Sequence, residues 1–253
     1  MARPAKYPFL EHSGVLAFAH RGGVLEAPEN TMKAFGYAVD LGYRYLETDA
    51  YATRDGVVVS FHDDKLDRVS DATGKIEELT WSALASARIG GEPIPLMEDL
   101  LTRWPNVRIN IDPKHDAVVA PLIALIKRVG AEDRVCVGSF SDKRIRQVYD
   151  AFDGRVCTSL GPQGVLKLKA ASAGVPTTRW REGCAQVPVK TGNVTVVTRR
   201  FVETAERRGL QVHVWTIDEE AEMKRLLDLG VHGLMTDRPA LLKRVLEERG
   251  LWS

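Results

Sequence analysis

Short apolar, β-branched runs alternate with longer stretches of helical periodicity along the whole chain, and this rhythm limits the fold more than any other feature. Candidate strands read at 15–20 (VLAFAH), 45–50 (YLETDA), 107–112 (VRINID), 135–140 (VCVGSF), 155–160 (RVCTSL), 184–189 (CAQVPV), 211–217 (QVHVWTI) and 233–237 (GLMTD). Helices fit between most of them, at 30–41, 116–129, 142–152, 199–209 and 219–229. Asn30 and Thr31, Thr198 and Asp218 stand where side-chain oxygens accept from the free amides of a first turn, and Gly42, Gly130, Gly209 and Gly230 fall where the helices should stop. Eight strand–helix units in 253 residues predict an α/β protein, a (β/α)8 TIM barrel forming one domain over 1–253. A doubly wound open sheet is the alternative, lowered because no glycine-rich dinucleotide loop or P-loop follows the first strand.

One segment breaks the rhythm. Residues 51–95 carry a hairpin signal at Asp55-Gly56 and then polar, turn-rich sequence, which reads as an insertion at the barrel mouth between strand two and the next helix. If Asp55 and Gly56 are the two loop residues, His62 returns to the level of Asp49. The insertion's Leu66, Ile76, Leu79, Trp81, Leu84, Ile89 and Ile94 are expected to pack it onto the barrel, leaving a polar, open mouth suited to small substrates.

The charge balance, 35 Lys+Arg against 34 Asp+Glu, argues against a dedicated nucleic-acid binder. Cys136, Cys157 and Cys184 lie far apart in sequence and lack the close spacing of zinc or redox motifs, so they read as buried free thiols suited to a reducing cytoplasm. The first residues carry Arg3 and Lys6 but no signal-peptide core, and no stretch approaches the roughly 20 apolar residues of a membrane span. The expectation is a cytoplasmic protein without stable membrane insertion.

Side chains alternate along a strand, so Glu47 and Asp49 share a face about 7 Å apart along the backbone. Arg108, Asn110, Asp112 and Lys114 share the corresponding parity on the third strand, which brings Asp112 beside the first two acids. Three carboxylates in one pocket suit a hard divalent cation, Mg²⁺ or Ca²⁺; a salt-bridge cluster with Arg108 or Lys114 is the alternative. His20 ends the first strand, and the Gly22-Gly23 turn after it can bring Arg21 back to the mouth. Two imidazoles, His20 and His62, beside a phosphate fit the exchange of protons that cleavage of a phosphodiester requires, with Arg21 and Lys114 neutralising the phosphate. His12, His115 and His232 lie outside this group, and His213, in mid-strand, fits an interior hydrogen-bonded role.

The ordered set His20-Arg21-Gly22, Pro28-Glu29-Asn30-Thr31, Glu47-Thr48-Asp49 and His62-Asp63 resembles the glycerophosphodiester phosphodiesterase family. Asp55-Gly56, Leu66-Asp67-Arg68, Ser139-Phe140, Trp215-Thr216 and Thr236-Asp237-Arg238-Pro239 extend the resemblance over almost the whole chain. It implies a TIM barrel in which Glu47 and Asp49 bind the metal, His20 and His62 serve as acid and base, and Arg21 and Lys114 hold phosphate. The implied substrate is a small glycerophosphodiester, split to glycerol 3-phosphate and an alcohol. Asp112-Pro113-Lys114 stands where the family usually has Glu-x-Lys, which bears on how the third acid reaches the ion. Glu29 and Asn30 are expected to hold the first loop, and Phe140 and Trp215 to line the cleft at strand ends, with a plain core role the equal alternative for Phe140. Residues 161–183 match the family poorly and carry no assignment. Competing readings are a lysophospholipase D-like phosphodiesterase and a catalytically silent binding barrel, the latter disfavoured by the intact histidines and acids.

Overall fold

The computed structural model describes residues 5–253; Arg3 lies outside the described residues. Eight strands form the parallel barrel: β1 (Leu16–His20), β2 (Tyr45–Ala52), β3 (Arg108–Pro113), β4 (Val135–Val137), β5 (Cys157–Thr158), β6 (Cys184–Pro188), β7 (Gln211–Trp215) and β8 (Gly233–Thr236). All eight expected strands form, with β4 and β5 shorter than the apolar runs that encode them. Around the barrel lie α1 (Met32–Asp40), α2 (Met97–Arg103), α3 (Val119–Val129), α4 (Asp142–Ala151), α5 (Pro162–Ser172), α6 (Arg199–Arg207), α7 (Glu220–Asp228) and α8 (Pro239–Glu248). β1 pairs with both β2 and β8, and the ladder runs on from each side. The ring closes between β5 and β6 through little more than a Ser159–Cys184 bridge, with Leu160 N donating to Cys184 O at 2.8 Å and Gly183 N to Thr158 O at 3.0 Å.

Strand parity sorts the side chains. Leu46 and Ala50 on β2, with Ile109 and Ile111 on β3, face outward and meet Phe35, Leu100, Leu122 and Phe201 in the layer between barrel and helices. Inward residues Leu16, Phe18 and Tyr45 fill the end of the barrel away from the mouth, with Met235 between them and the cavity, and a 3-10 turn, Pro8–Leu10, plugs that end with Phe9 and Leu10. Burying these side chains removes apolar area worth about 25 cal/mol per Å² from water, so the plug is part of the core and not an appendage.

Thr31 and Thr198 cap α1 and α6 as expected, accepting from Ala34 N and Phe201 N. Asp218 does not cap α7, whose N-cap, Glu219, makes no side-chain bond. Asp218 Oδ1 instead accepts from Asp237 N at 2.7 Å and Thr236 Oγ1 at 3.0 Å, bracing the loop that leaves β8. Gly130 ends α3 in the left-handed region at φ +63°, where a Cβ would be strained.

Within 51–95 the hairpin register differs from the sequence expectation. Its loop has three residues, closed by Thr53 N donating to Val57 O and turned by Gly56 at φ +81°. The extra residue puts Phe61, not His62, opposite Asp49, with Phe61 N donating to Asp49 O at 3.1 Å. His62 therefore leaves the ladder one residue later. The insertion does bury its hydrophobes: Phe61, Leu66, Ile76, Leu84, Ile89 and Ile94 form their own small cluster against Tyr51 and Val59.

The cysteines are the buried free thiols expected, but their arrangement was not foreseen. Cys136, Cys157 and Cys184 sit on three successive strands and converge inside the barrel, although 48 residues separate the outer two in sequence. No helix among the described residues is long and apolar enough to cross a membrane.

Candidate active site

A cavity of about 690 Å³ opens at the carboxyl ends of the strands, and His20, Arg21, Glu47, Asp49, His62, Asp112 and Lys114 all line it. Strand parity placed Glu47, Asp49, Asp112 and Lys114, and His20 was expected at a strand end; His62 arrives by a hairpin one residue out of the expected register, and Arg21 by the backbone. Its φ of +50° reverses the chain after β1, so its guanidinium returns over the mouth, Nε 3.1 Å from Asp49 Oδ2 and Nη1 3.2 Å from Glu29 Oε1.

Each imidazole has a carboxylate behind it. His20 Nδ1 lies 2.6 Å from Asp237 Oδ1, and His62 Nδ1 lies 2.5 Å from Asp63 Oδ1. Such a pair fixes the ring and directs Nε2 away from its partner. His20 Nε2 is 3.7 Å from Glu47 Oε2. Burial works against a charge on His20, but Glu47 and Asp237 outweigh it and raise its pKa above the ordinary value. Asp237 and Asp63 were visible in the sequence as members of matched motifs, yet nothing in residue spacing pairs them with the imidazoles in this way. Arg68 is another such residue: its guanidinium clasps Glu29 at 2.8 and 3.0 Å and also binds Asp63, tying the insertion to the loop after β1.

Glu47 and Asp49 are buried on one face of β2, as parity required, yet their environments push them apart. Burial raises Glu47 to about 7, offset only in part by His20. Asp49 pays the same burial penalty, but Lys114 Nζ at 2.7 Å and Arg21 hold it below the usual carboxylate range. Asn30 Nδ2 adds a hydrogen bond to Asp49 at 3.0 Å, while its Oδ1 accepts from Thr48 and Ser60. Asn30 takes up a left-handed φ of +55° to do so, holding the loop as expected. Asp112 pairs in register with Asp49 across β2 and β3, but Lys114 Nζ stands between them, 2.8 Å from Asp112 Oδ2. Burial raises Asp112 despite that lysine. The three acids share a mouth without converging as tightly as the three cysteines do.

The other side of the cavity is apolar, of which the sequence reading anticipated only Phe140 and Trp215. Phe140, Leu160, Val165, Leu166, Val187, Val194, Val196 and Trp215 line it. Phe140 is 71% exposed, a cleft residue and not a core one, and meets Trp215 edge-on with ring centroids 5.8 Å apart. Leu166 on α5 is 71% exposed and Val194, in the antiparallel hairpin 190–195, is 58% exposed. Lys169 Nζ, donating to Thr195 O at 2.6 Å, holds that hairpin over α5. The insertion contributes only His62 to the lining. Expected packing of the insertion is therefore met, and the expected polar mouth is not.

Comparison with known proteins agrees with this geometry. A family model described as glycerophosphoryl diester phosphodiesterase family matches residues 20–241. A Mycobacterium tuberculosis protein named probable glycerophosphodiester phosphodiesterase 2 is 42% identical over 251 residues, covering 96% of this chain and 95% of its own. Human lysophospholipase D GDPD1 is 28% identical, covering 95% of this chain and 91% of its own. Among solved structures, an Oleispira antarctica phosphodiesterase in complex with the product sn-glycerol-3-phosphate superposes with a TM-score of 0.77 at 18% identity, covering 92% of this chain and 97% of that one. With its motifs, barrel and two-histidine mouth accounted for, this chain belongs to the glycerophosphoryl diester phosphodiesterase family.

Proposed function

We propose that this chain hydrolyses glycerophosphodiesters to glycerol 3-phosphate and an alcohol, using His20 and His62 as proton-transfer groups in a metal-dependent site. The observation that carries this reading is the pair of imidazoles, each backed by its own carboxylate, facing one cavity that also holds three acids and two cations. A silent binding barrel has no use for two separately oriented histidines. One imidazole takes the proton of the attacking group, either water or a glycerol hydroxyl whose cyclic phosphate water then opens, while the other delivers a proton to the leaving oxygen, and Asp237 and Asp63 keep both rings aligned. Arg21 and Lys114 meet the phosphate oxygens as negative charge builds on them.

The donor set fits a hard divalent cation: the acids are all oxygen ligands, and Glu47, buried and raised to about 7, lacks a full positive partner. Glu47, Asp49 and Asp112 would hold Mg²⁺ or Ca²⁺, which would supply Lewis-acid stabilisation of the phosphoryl group. Lys114 would then exchange its contacts with Asp49 and Asp112 for the phosphate. The test is release of glycerol 3-phosphate from glycerophosphocholine and glycerophosphoethanolamine, before and after exhaustive chelation. Activity lost on chelation and restored by Mg²⁺ or Ca²⁺ supports the reading; full activity in protein free of metal overturns its metal part.

A second reading has its own observation. The exposed apolar wall of Phe140, Leu166 and Val194 offers an acyl chain a place to lie beside the phosphate site, which favours lysophospholipids alongside small diesters. Comparison of kcat/KM for glycerophosphocholine and a lysophosphatidylcholine below its micellar concentration separates the two.

A further inference from the structure

The closed end of the barrel holds a second cluster of ligating groups that the phosphodiesterase chemistry does not use. Cys136, Cys157 and Cys184 point inward from β4, β5 and β6, all fully buried, with their sulfurs within 4.8 Å of one another and the Cys136–Cys184 pair 3.9 Å apart. Ligands bound at about 2.3 Å around a tetrahedral zinc ion place their sulfurs roughly 3.8 Å apart, whereas a disulfide needs about 2.05 Å. Sulfurs in simple van der Waals contact lie at similar separations, so spacing alone decides nothing.

The second observation is His213 on β7, fully buried beside Cys184. Its tautomer is set by its neighbours. Gln211 Nε2 donates to Leu10 O, so Gln211 Oε1 is the acceptor facing His213 Nε2 at 3.2 Å, and that nitrogen carries the proton. His213 Nδ1 is left as a buried lone pair with no nitrogen or oxygen donor, beside the Cys184 thiol. A buried imidazole whose other nitrogen donates to a carbonyl oxygen is the arrangement that metal-binding histidines adopt. We infer that Cys136, Cys157 and Cys184 form a structural site for a zinc-type thiophilic ion, with His213, outside their 4.8 Å cluster but beside Cys184, the imidazole that a shift of its ring would bring in as fourth ligand.

Its place in the fold gives the site a purpose. Cys157 and Cys184 flank the seam between β5 and β6, where the barrel closes with the fewest hydrogen bonds. An ion there would staple the seam and hold the strand ends that carry Ser139, Leu160 and Val187 into the mouth. Binding releases the three thiol protons and leaves three thiolates, one neutral imidazole and a dication, a single net negative charge. Lys6, whose charge acts on Cys157, is the cation placed to balance it.

The test uses the full chain, free of any affinity tag, stripped of metal under reducing conditions and refolded with Co²⁺. Thiolate-to-cobalt charge-transfer absorption and intense tetrahedral d–d bands, saturating at one ion per chain, are expected. The same bands should persist in Asp49→Ala, which damages the mouth, and vanish in Cys157→Ala. Zinc should raise Tm by about 5–10 °C in Asp49→Ala, whose mouth site is damaged, but not in the double variant Asp49→Ala/Cys157→Ala. Decisive readings come from the unsubstituted chain, so a poorly folding cysteine variant does not rescue the idea. A folded chain without charge-transfer bands overturns it, as does intact mass showing a Cys136–Cys184 disulfide in protein isolated without reductant.

Discussion

The two walls of the mouth are built on opposite principles. On the β1–β3 side, charged groups sit in a web of mutual contacts: Asp49 alone touches Arg21, Asn30 and Lys114. On the β4–β7 side, Phe140, Leu166 and Val194 stand exposed with no polar partner. Preorganised charge lowers a barrier only if it cannot relax, which explains the rigidity of the first wall. Apolar contact is non-directional, so the second wall can serve substrate binding without fixed geometry. On the proposed reading, the contrast assigns chemistry and selectivity to different strands, which could then be altered separately.

The sharpest way to break this division is at the polar wall. His20→Ala and His62→Ala should each lower kcat by about 10³-fold with little change in KM. Steady-state kinetics on glycerophosphocholine checks this, and a change confined to KM would remove the proton-transfer assignment. A p-nitrophenyl diester, whose leaving group needs no proton, should restore the variant lacking the acid far more than the one lacking the base.

Asp237→Asn is expected to cost less, about 10–100-fold in kcat, because it weakens a charge-assisted hydrogen bond without deleting the imidazole. The loss should fall on both diester and lysophospholipid substrates alike. Leu166→Asp should behave in the opposite way. It should reduce kcat/KM for a lysophospholipid by about 10–100-fold, the value of a lost acyl contact, while leaving glycerophosphocholine turnover nearly unchanged. Equal losses on both substrates would show that the walls are not separable.

The smallest effect on turnover belongs to a residue in neither wall. Burial pushes His232 down to about 4, and its Nδ1 accepts from Val212 N at 3.1 Å. With a folded pKa below the unfolded value of about 6.5, the unfolded chain binds the extra proton, so this residue's stability contribution is complete above pH 6.5 and is lost as pH falls towards 4. Urea unfolding at pH 7 and pH 5 should show a drop on the order of 2 kcal/mol that His232→Gln reduces, with kcat at pH 7 unaffected.

The polar wall was far more legible in the sequence than the apolar one. Charged residues at period two within an apolar strand leave few explanations, and Glu47, Asp49 and Asp112 reached the mouth on that reasoning alone. The apolar wall was hidden because α5 uses its hydrophobes in two directions. Leu168 packs inward while Val165 and Leu166 face the cavity, so no single core stripe marks the helix. Asp218 was misread because an aspartate before a helix usually caps it; here the β8 loop competes for the same oxygen. The His62 register slipped by one because a dipeptide cannot show whether its turn has two residues or three. The cysteine cluster was invisible for a simpler reason: adjacency across parallel strands leaves no short spacing in the chain.

The insertion behind His62 has its own small core and reaches the rest of the mouth chiefly through the Arg68 clasp on Glu29 and Asp63. A module joined to its host by that clasp, by the Lys33–Glu92 and His115–Glu77 ion pairs and by its packing on Tyr51 and Val59 is exchangeable in the engineering sense where those contacts are kept. Its length, its hydrophobes and its outer loops are free to change so long as the return of His62, the carboxylate of Asp63 and the guanidinium of Arg68 arrive together. Chimaeras that transplant 64–95 from another barrel while keeping those three residues would therefore be working enzymes, and the segment becomes a socket into which new regulatory or binding surfaces can be fitted.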